Sequence, residues 1–190
     1  DPEKWYRQGS VRIDLDTATF PCNVFETEKG EWNEPGNWRS GCLPDKNASV
    51  IIPENHDVEL NNARSKCKKL FLEPRATLTV NSGQSLTICD DLTIHSRTST
   101  YTGSIISYGD LSVQGETIFE RHIADDCRHL IASPLTGQAL NEFGSINSLR
   151  FNPEKNTYDL APFNEQTGLW QPCVSASDTD EMIPGKGYSM

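Results

Sequence analysis

Four histidines stand at positions 56, 95, 122 and 129, and the run His122, Asp125, Asp126, Cys127, His129 is the densest grouping of side chains able to hold a metal or move a proton. Zinc catalysis needs three protein ligands and an open position, commonly with histidines at the helical spacing of HExxH. That spacing is absent here, so the run reads as a polar junction. A nucleophilic serine would sit in an elbow such as GxSxG, and none occurs. Carboxylates that could pair for glycosidic cleavage are present at Asp90, Asp91, Asp110, Glu116 and Glu120. Clustered oxygens at Asp14 and Asp16, and at Asp178, Asp180 and Glu181, suit calcium, although neither run matches an EF-hand loop. Calcium is the one cofactor these residues suggest.

Aromatic residues offer a second chemistry. Trp32 and Trp38 lie in the polar stretch GEWNEPGNWRSGCLP, and Tyr101 and Trp170 lie in turn-rich surroundings. Each could stack on the face of a sugar ring. For Trp32 and Trp38 the competing reading is a lid over an apolar interior. Asn47-Ala48-Ser49 fits the N-glycosylation acceptor pattern. The basic cluster Arg64 to Lys69 reads as a solvated turn, with a polyanion contact as the alternative.

The elements that would position these groups follow from composition and spacing. The chain has 190 residues, a formal charge of -10 and 35% hydrophobic residues, with 13 Gly and 11 Pro. The negative charge argues against nucleic acid, and no run approaches the roughly 20 apolar residues of a membrane span. Short apolar triplets separated by turn residues recur from Val50 to Phe119: VII, VEL, LFL, LTV, LTI, LTI, SII, LSV and TIF. Each alternates like a half-buried strand and is too short for a helix. Several recur at a period near twenty residues, as in 50 to 70, 58 to 78 and 70 to 92. That predicts an all-β chain built on a short right-handed parallel β-helix with three strands per coil. An antiparallel meander is the alternative, but the linkers lack the Asn-Gly and Asp-Gly pairs of tight hairpins. Residues 1–29 read as lead-in strands, 30–123 as a Trp-rich cap and the β-helix, and 124–190 as a smaller, mostly β C-terminal module. That module carries a short helix around GQALNEF, turns at NPEKNT and NEQTG, and an ending in mid-pattern. The end of a β-helix exposes unpaired strands and an apolar cross-section, which favours the lid for Trp32 and Trp38.

Six cysteines without a CxxC pair exclude the usual structural zinc site and fit disulfides of an oxidising compartment. Cys67 and Cys89 are 22 residues apart, about one coil, which favours the set Cys22–Cys42, Cys67–Cys89 and Cys127–Cys173, with Cys42–Cys67 as the competitor.

The order of motifs W-x5-W-x2-GCLP, SVIIP, ATLTVNSGQSLTI, GDLSV, RHLIASPLTGQ, YDLAPFNEQTGLW and GKGYSM resembles large secreted surface proteins of Bacteroidetes-type bacteria, over residues 30 to 190. The chain departs from their pattern at Arg128, where an aromatic is usual. More remotely, the opening is similar to G8-type β-helical domains of eukaryotic surface proteins. The resemblance implies an exported, adhesin-like protein, often secreted by the type IX route, and it implies no catalytic residues. By the same resemblance Asp16-Thr17-Ala18 is similar to the O-glycosylation sequon of those bacteria. The expectation is a non-catalytic module of a secreted or cell-surface bacterial protein, structural or adhesive. Its partners would be glycans, host or cell-surface proteins, and other domains of the same parent chain. A carbohydrate-binding module is the second reading, and a polysaccharide-acting β-helix enzyme the third.

Overall fold

The computed structural model describes residues 24–61, 64–98, 100–123, 128–177 and 179–190. They fall into two compact units, one within 24–123 and one within 128–190.

The first unit is a parallel β-solenoid of about three turns. An incomplete opening coil holds β1 (Lys29–Glu31) and β2 (Ser49–Ile52). The first full coil has β3 (Asp57–Leu60), β4 (Arg64–Cys67) and β5 (Lys69–Leu72), and the second has β6 (Thr77–Val80), β7 (Ser85–Ile88) and β8 (Leu92–Ile94). A hairpin insertion, β9 (Ser96–Thr98) with β10 (Tyr101–Thr102), precedes the third coil of β11 (Ser104–Ser107), β12 (Asp110–Val113) and β13 (Thr117–Phe119). Equivalent strands stack into three sheets, ordered β1-β3-β6-β11, β4-β7-β12 and β2-β5-β8-β13. All pairs in these three sheets are parallel. The meander is thereby excluded.

The register matches the period read from the sequence. Val50 lies beside Leu70, Val58 beside Leu78, and Leu70 beside Leu92. Inward residues alternate with outward ones in β2, β3, β5, β6 and β7, so Val50, Ile52, Leu60, Leu70, Leu72, Leu78, Val80, Leu86 and Ile88 are all fully buried. At roughly 25 cal/mol per Å² of apolar surface, these columns are the main source of stability. The corners carry ladders of their own. Asn81 donates to the Asn61 side chain one coil below, and the Arg75 guanidinium donates to Asn55 Oδ1 at 3.3 Å. Asn55 and Arg75 occupy equivalent turns and both adopt the left-handed conformation, with φ of 63° and 67°.

Two expectations shift. The boundary drawn at residue 30 falls inside the solenoid, because Val24 bridges Ile51 in parallel and Lys29 aligns with Asp57. The basic stretch Arg64–Cys67 is not a turn but β4, in register with β7.

The second unit is mostly β, with one helix among its described residues. β14 (Leu130–Ile131) is followed by α1 (Leu140–Ile146), then β15 (Phe151–Asn152), β16 (Thr157–Tyr158), β17 (Ala161–Asn164), β18 (Leu169–Trp170) and β19 (Tyr188–Ser189). An antiparallel sheet runs β14-β19-β17-β18, and β15 pairs with β16. The helix begins three residues later than GQALNEF suggested. Gly137 has φ of 79° and Ala139 is extended, bridging Glu181, so Gly137 and Ala139 cannot start a helical turn. Both expected turns form hairpins by the same device. Asn152 Oδ1 accepts from the N–H of Glu154 and Lys155, as Asn164 Oδ1 does from Gln166 and Thr167. Leu140, Leu160, Val174, Met182 and Tyr188 form this unit's separate core.

Candidate functional site

The two tryptophans of the opening coil are buried at 1% and 2% exposure. Trp38 packs edge-on against Trp32 at 5.0 Å and against Phe25 at 5.1 Å between ring centroids. Its indole N–H donates to the Trp32 carbonyl at 2.8 Å, so the one polar atom taken inside is satisfied. Asn37 Nδ2 donates to the Glu31 carbonyl at 2.9 Å and fixes the loop that carries them. Among the described residues the sheet of β4, β7 and β12 has no strand in the opening coil. The segment 32–48 connects β1 to β2 at that level, and Ser65 Oγ in β4 donates to Asn33 Oδ1 at 3.3 Å. Both rings join the solenoid's core cluster together with Phe25. Neither Trp32 nor Trp38 presents a face to a sugar, which corrects the stacking role considered for them.

Tyr101 is half-buried, and the Arg75 guanidinium carbon sits 3.6 Å from its ring centroid. That face of the ring is occupied by a cation–π contact. Trp170 is different, with 43% of its surface exposed on β18.

Most charged side chains on the solenoid that the sequence offered for chemistry are engaged with one another. Lys69 Nζ lies 2.6 Å from Asp91 and 3.4 Å from Asp90. The hydrogen bond to Asp91 raises the Lys69 pKa, and the same bond holds the Asp91 carboxyl below its usual range. His95 Nδ1 lies 3.0 Å from Glu120 Oε2, which also accepts the Ser96 N–H at 3.2 Å. The bond to Glu120 raises the His95 pKa against the opposing effect of burial, and Glu120 is lowered by the same bond. This pair ties the start of the hairpin insertion to the end of the third coil. Arg97 pairs with Glu54 at 2.9 Å and Arg39 with Glu26 at 2.8 Å. Asp110 opens β12 while Glu116 lies in the turn before β13, and the Glu116 N–H donates to Asp91 Oδ1 at 3.1 Å. The expected acid pairs therefore do not converge on a cleft.

Of the possible calcium ligands, Asp14, Asp16 and Asp178 lie outside the described residues, as do Asp125, Asp126 and Cys127 of the histidine run. Asp180 is exposed, and its carbonyl accepts the Leu140 N–H at 2.8 Å. His122 and His129 belong to different units. Among the described residues no three His, Cys, Asp or Glu side chains group as metal ligands.

Cys67, Cys89 and Cys173 are free thiols. The expected Cys67–Cys89 bridge is not formed, because this face of the solenoid repeats every 21 residues and places Cys67 opposite Ile88. Cys89 sits one position past that partner, its N–H donating to the Cys67 carbonyl at 2.9 Å. Burial, aided by Cys89 nearby, pushes the Cys67 thiol up to about 12. Cys173 being free, the Cys127–Cys173 bridge is likewise not formed. Cys42 is disulfide-bonded, and its expected partner Cys22 lies outside the described residues.

The concave feature that sequence reasoning missed is on the second unit. One wall is the β17–β18 hairpin, closed by Gly168 at φ of 67°. There Phe163 and Trp170 face each other across the strands with ring centroids 5.0 Å apart. The other wall is the turn from Ile183 to Lys186. Its shape is fixed by three bonds: Ile183 N–H to the Tyr188 hydroxyl at 2.9 Å, Gly185 N–H to the Ser133 carbonyl at 3.1 Å, and Lys186 N–H to the Ile183 carbonyl at 3.1 Å. The Phe163 N–H donates to the Gly187 carbonyl at 2.9 Å and joins the walls. Between them lies an open groove of about 520 Å³. In sequence its walls are the motifs NEQTGLW and GKGY, each legible only as a turn. Nothing in their spacing says that they meet.

A family model described as a domain of unknown function, DUF8693, matches residues 25–190. No curated protein and no solved structure matches the chain.

Proposed function

Since the chain belongs to DUF8693, a domain family of unknown function, we infer its role from geometry: a non-catalytic module of a secreted or cell-surface bacterial protein, structural or adhesive. The observation that carries this reading is the engagement, in pairs within the scaffold, of several of the solenoid's side chains that could do acid–base chemistry. Lys69 with Asp90 and Asp91, His95 with Glu120, and Arg97 with Glu54 stiffen corners and insertions. A catalytic groove instead leaves an acid and a base free to reach a substrate. The extracellular setting and the type IX route follow from the resemblance of the motif order to exported surface proteins.

The test is incubation of the full chain with a panel of plant and bacterial polysaccharides, followed by assays for new reducing ends and for unsaturated uronates. The expected result is no product above a heat-denatured control. Turnover lost on Asp90→Asn or Glu120→Gln would overturn the reading in favour of a polysaccharide-acting enzyme.

A second reading, a carbohydrate-binding module, is favoured by one observation: Trp170 stands exposed beside a concave surface lined with amide side chains. An adhesive module and a sugar-binding module are compatible. What separates them is whether the ligand is a glycan.

A further inference from the structure

We propose that the groove between the β17–β18 hairpin and the Ile183–Lys186 turn binds a neutral oligosaccharide, with the Phe163 ring, which packs against Trp170, as its aromatic side and the amides of Gln166 and Gln171 as its hydroxyl-reading groups. This rests on the carbohydrate-binding reading above and gives it a place and a ligand class.

Four observations carry the proposal. Its volume of about 520 Å³ falls in the range of small-molecule sites. Both walls are held by backbone bonds and an Asx turn, so the surface is preorganised and little ordering cost falls on binding. The lining combines an apolar part, Phe163 and Ile183, with side chains that donate and accept. Among the described residues the side chains of Gln166, Gln171 and Glu165 have no hydrogen-bond or ionic partner, which leaves them to a ligand. A sugar presents this same combination, a C–H face for an aromatic ring and hydroxyls at its edge.

Charge and backbone select the class further. Glu165 and Lys186 contribute one charge of each sign, and the Lys186 ammonium leans over the Tyr188 ring at 5.9 Å. The groove therefore has no net charge with which to favour a uronate or sulfated chain. An extended peptide would need a free strand edge to pair with, but β18 is two residues long and the next N–H, of Gln171, already donates to Pro162 at 2.8 Å.

The experiment titrates the full 190-residue chain with cello-, xylo-, manno-, galacto- and N-acetylglucosamine hexasaccharides, following heat and tryptophan emission. Wild type is compared with Trp170→Ala and with the double variant Gln166→Ala/Gln171→Ala. The double variant alters only exposed side chains, so it keeps the test valid should Trp170→Ala disturb the hairpin. The expected result is binding of at least one neutral hexasaccharide, weakened at least tenfold in the double variant, whose melting temperature is unchanged. Binding that persists at full strength in both variants would place the glycan elsewhere, overturning this assignment while the carbohydrate-binding reading survives. Binding of none of the five hexasaccharides by the wild type would sink that reading and the assignment together. Binding confined to polygalacturonate, added as an acidic control, would overturn the neutral class.

Discussion

His95 is one residue through which pH reaches the scaffold. Its pKa is raised above the ordinary 6.5, first by the hydrogen bond to Glu120 and then by the charges of Glu120 and Glu73. A histidine of this kind stabilises the fold fully below its unfolded value and loses that contribution as pH rises through the folded one. Glu120, lowered from an ordinary 4.5, contributes above that value and stops as pH falls through its depressed folded one. The pair is thus worth most between 4.5 and 6.5. Both side chains are partly exposed, which keeps the effect modest. Melting temperatures of wild type and His95→Gln should differ most between pH 4.5 and 6.5 and converge as pH rises past the raised value of His95. A difference that stays constant past that value would assign the effect to packing on Phe71, whose ring stacks with His95 at 6.4 Å. The cysteines give a second prediction at this scale. Under iodoacetamide at neutral pH, Cys173 should label first. Cys67 should resist until the protein unfolds, because it is wholly buried and its thiol pKa stands at about 12. Neither behaviour was legible in the sequence. The His95–Glu120 contact spans 25 residues and depends on the length of the third coil. The Cys67–Cys89 bridge looked natural only because 22 residues is one more than the repeat of that face.

At the scale of elements, the sequence exposed what periodicity controls and hid what falls outside it. Triplets such as VII, LFL and LTI announced their register because every second side chain must be apolar to reach the interior. β4 was missed for the same reason in reverse: Arg64, Ser65 and Lys66 precede its single apolar inward residue, Cys67. The role of Trp32 and Trp38 was half legible. Their size demanded cover or a ligand, and the polar loop around them suited either. The structure decides for cover, and the consequence can be measured. Trp38→Ala removes a ring buried among Phe25, Trp32 and the first inward column, and strands the Trp32 carbonyl. The loss should be about 3–5 kcal/mol, or a fall in melting temperature of roughly 2–4 °C per kcal/mol for a chain of this length. Trp170→Ala, at an exposed site, should cost far less. Equal losses for the two variants would mean that the opening coil contributes little to the solenoid.

At the scale of the whole solenoid, stability passes between neighbouring coils, since each strand bonds only to its equivalents above and below. The second coil is flanked on all three faces: β6 lies between β3 and β11, β7 between β4 and β12, and β8 between β5 and β13. Among the described residues the third coil ends all three sheets, and its inward residues Ile105, Leu111 and Val113 are only partly buried. Amide hydrogen exchange should therefore be slowest in β6 and β7 and fastest in β11 to β13, as coils open from the end. Gly109 tests the coupling. It enters β12 pressed against the backbone carbonyls of Asn81 and Gln84, where an added Cβ would clash with both. Carbonyl oxygens in a turn cannot step aside as a flexible side chain would. Gly109→Ala should therefore cost about 1–3 kcal/mol, concentrated where the third coil meets the second. Exchange should accelerate in β11, β12 and β13, less in β7, and not measurably in β3. Uniform acceleration through every coil would show that the solenoid opens as one cooperative body, with no order of unfolding along its axis.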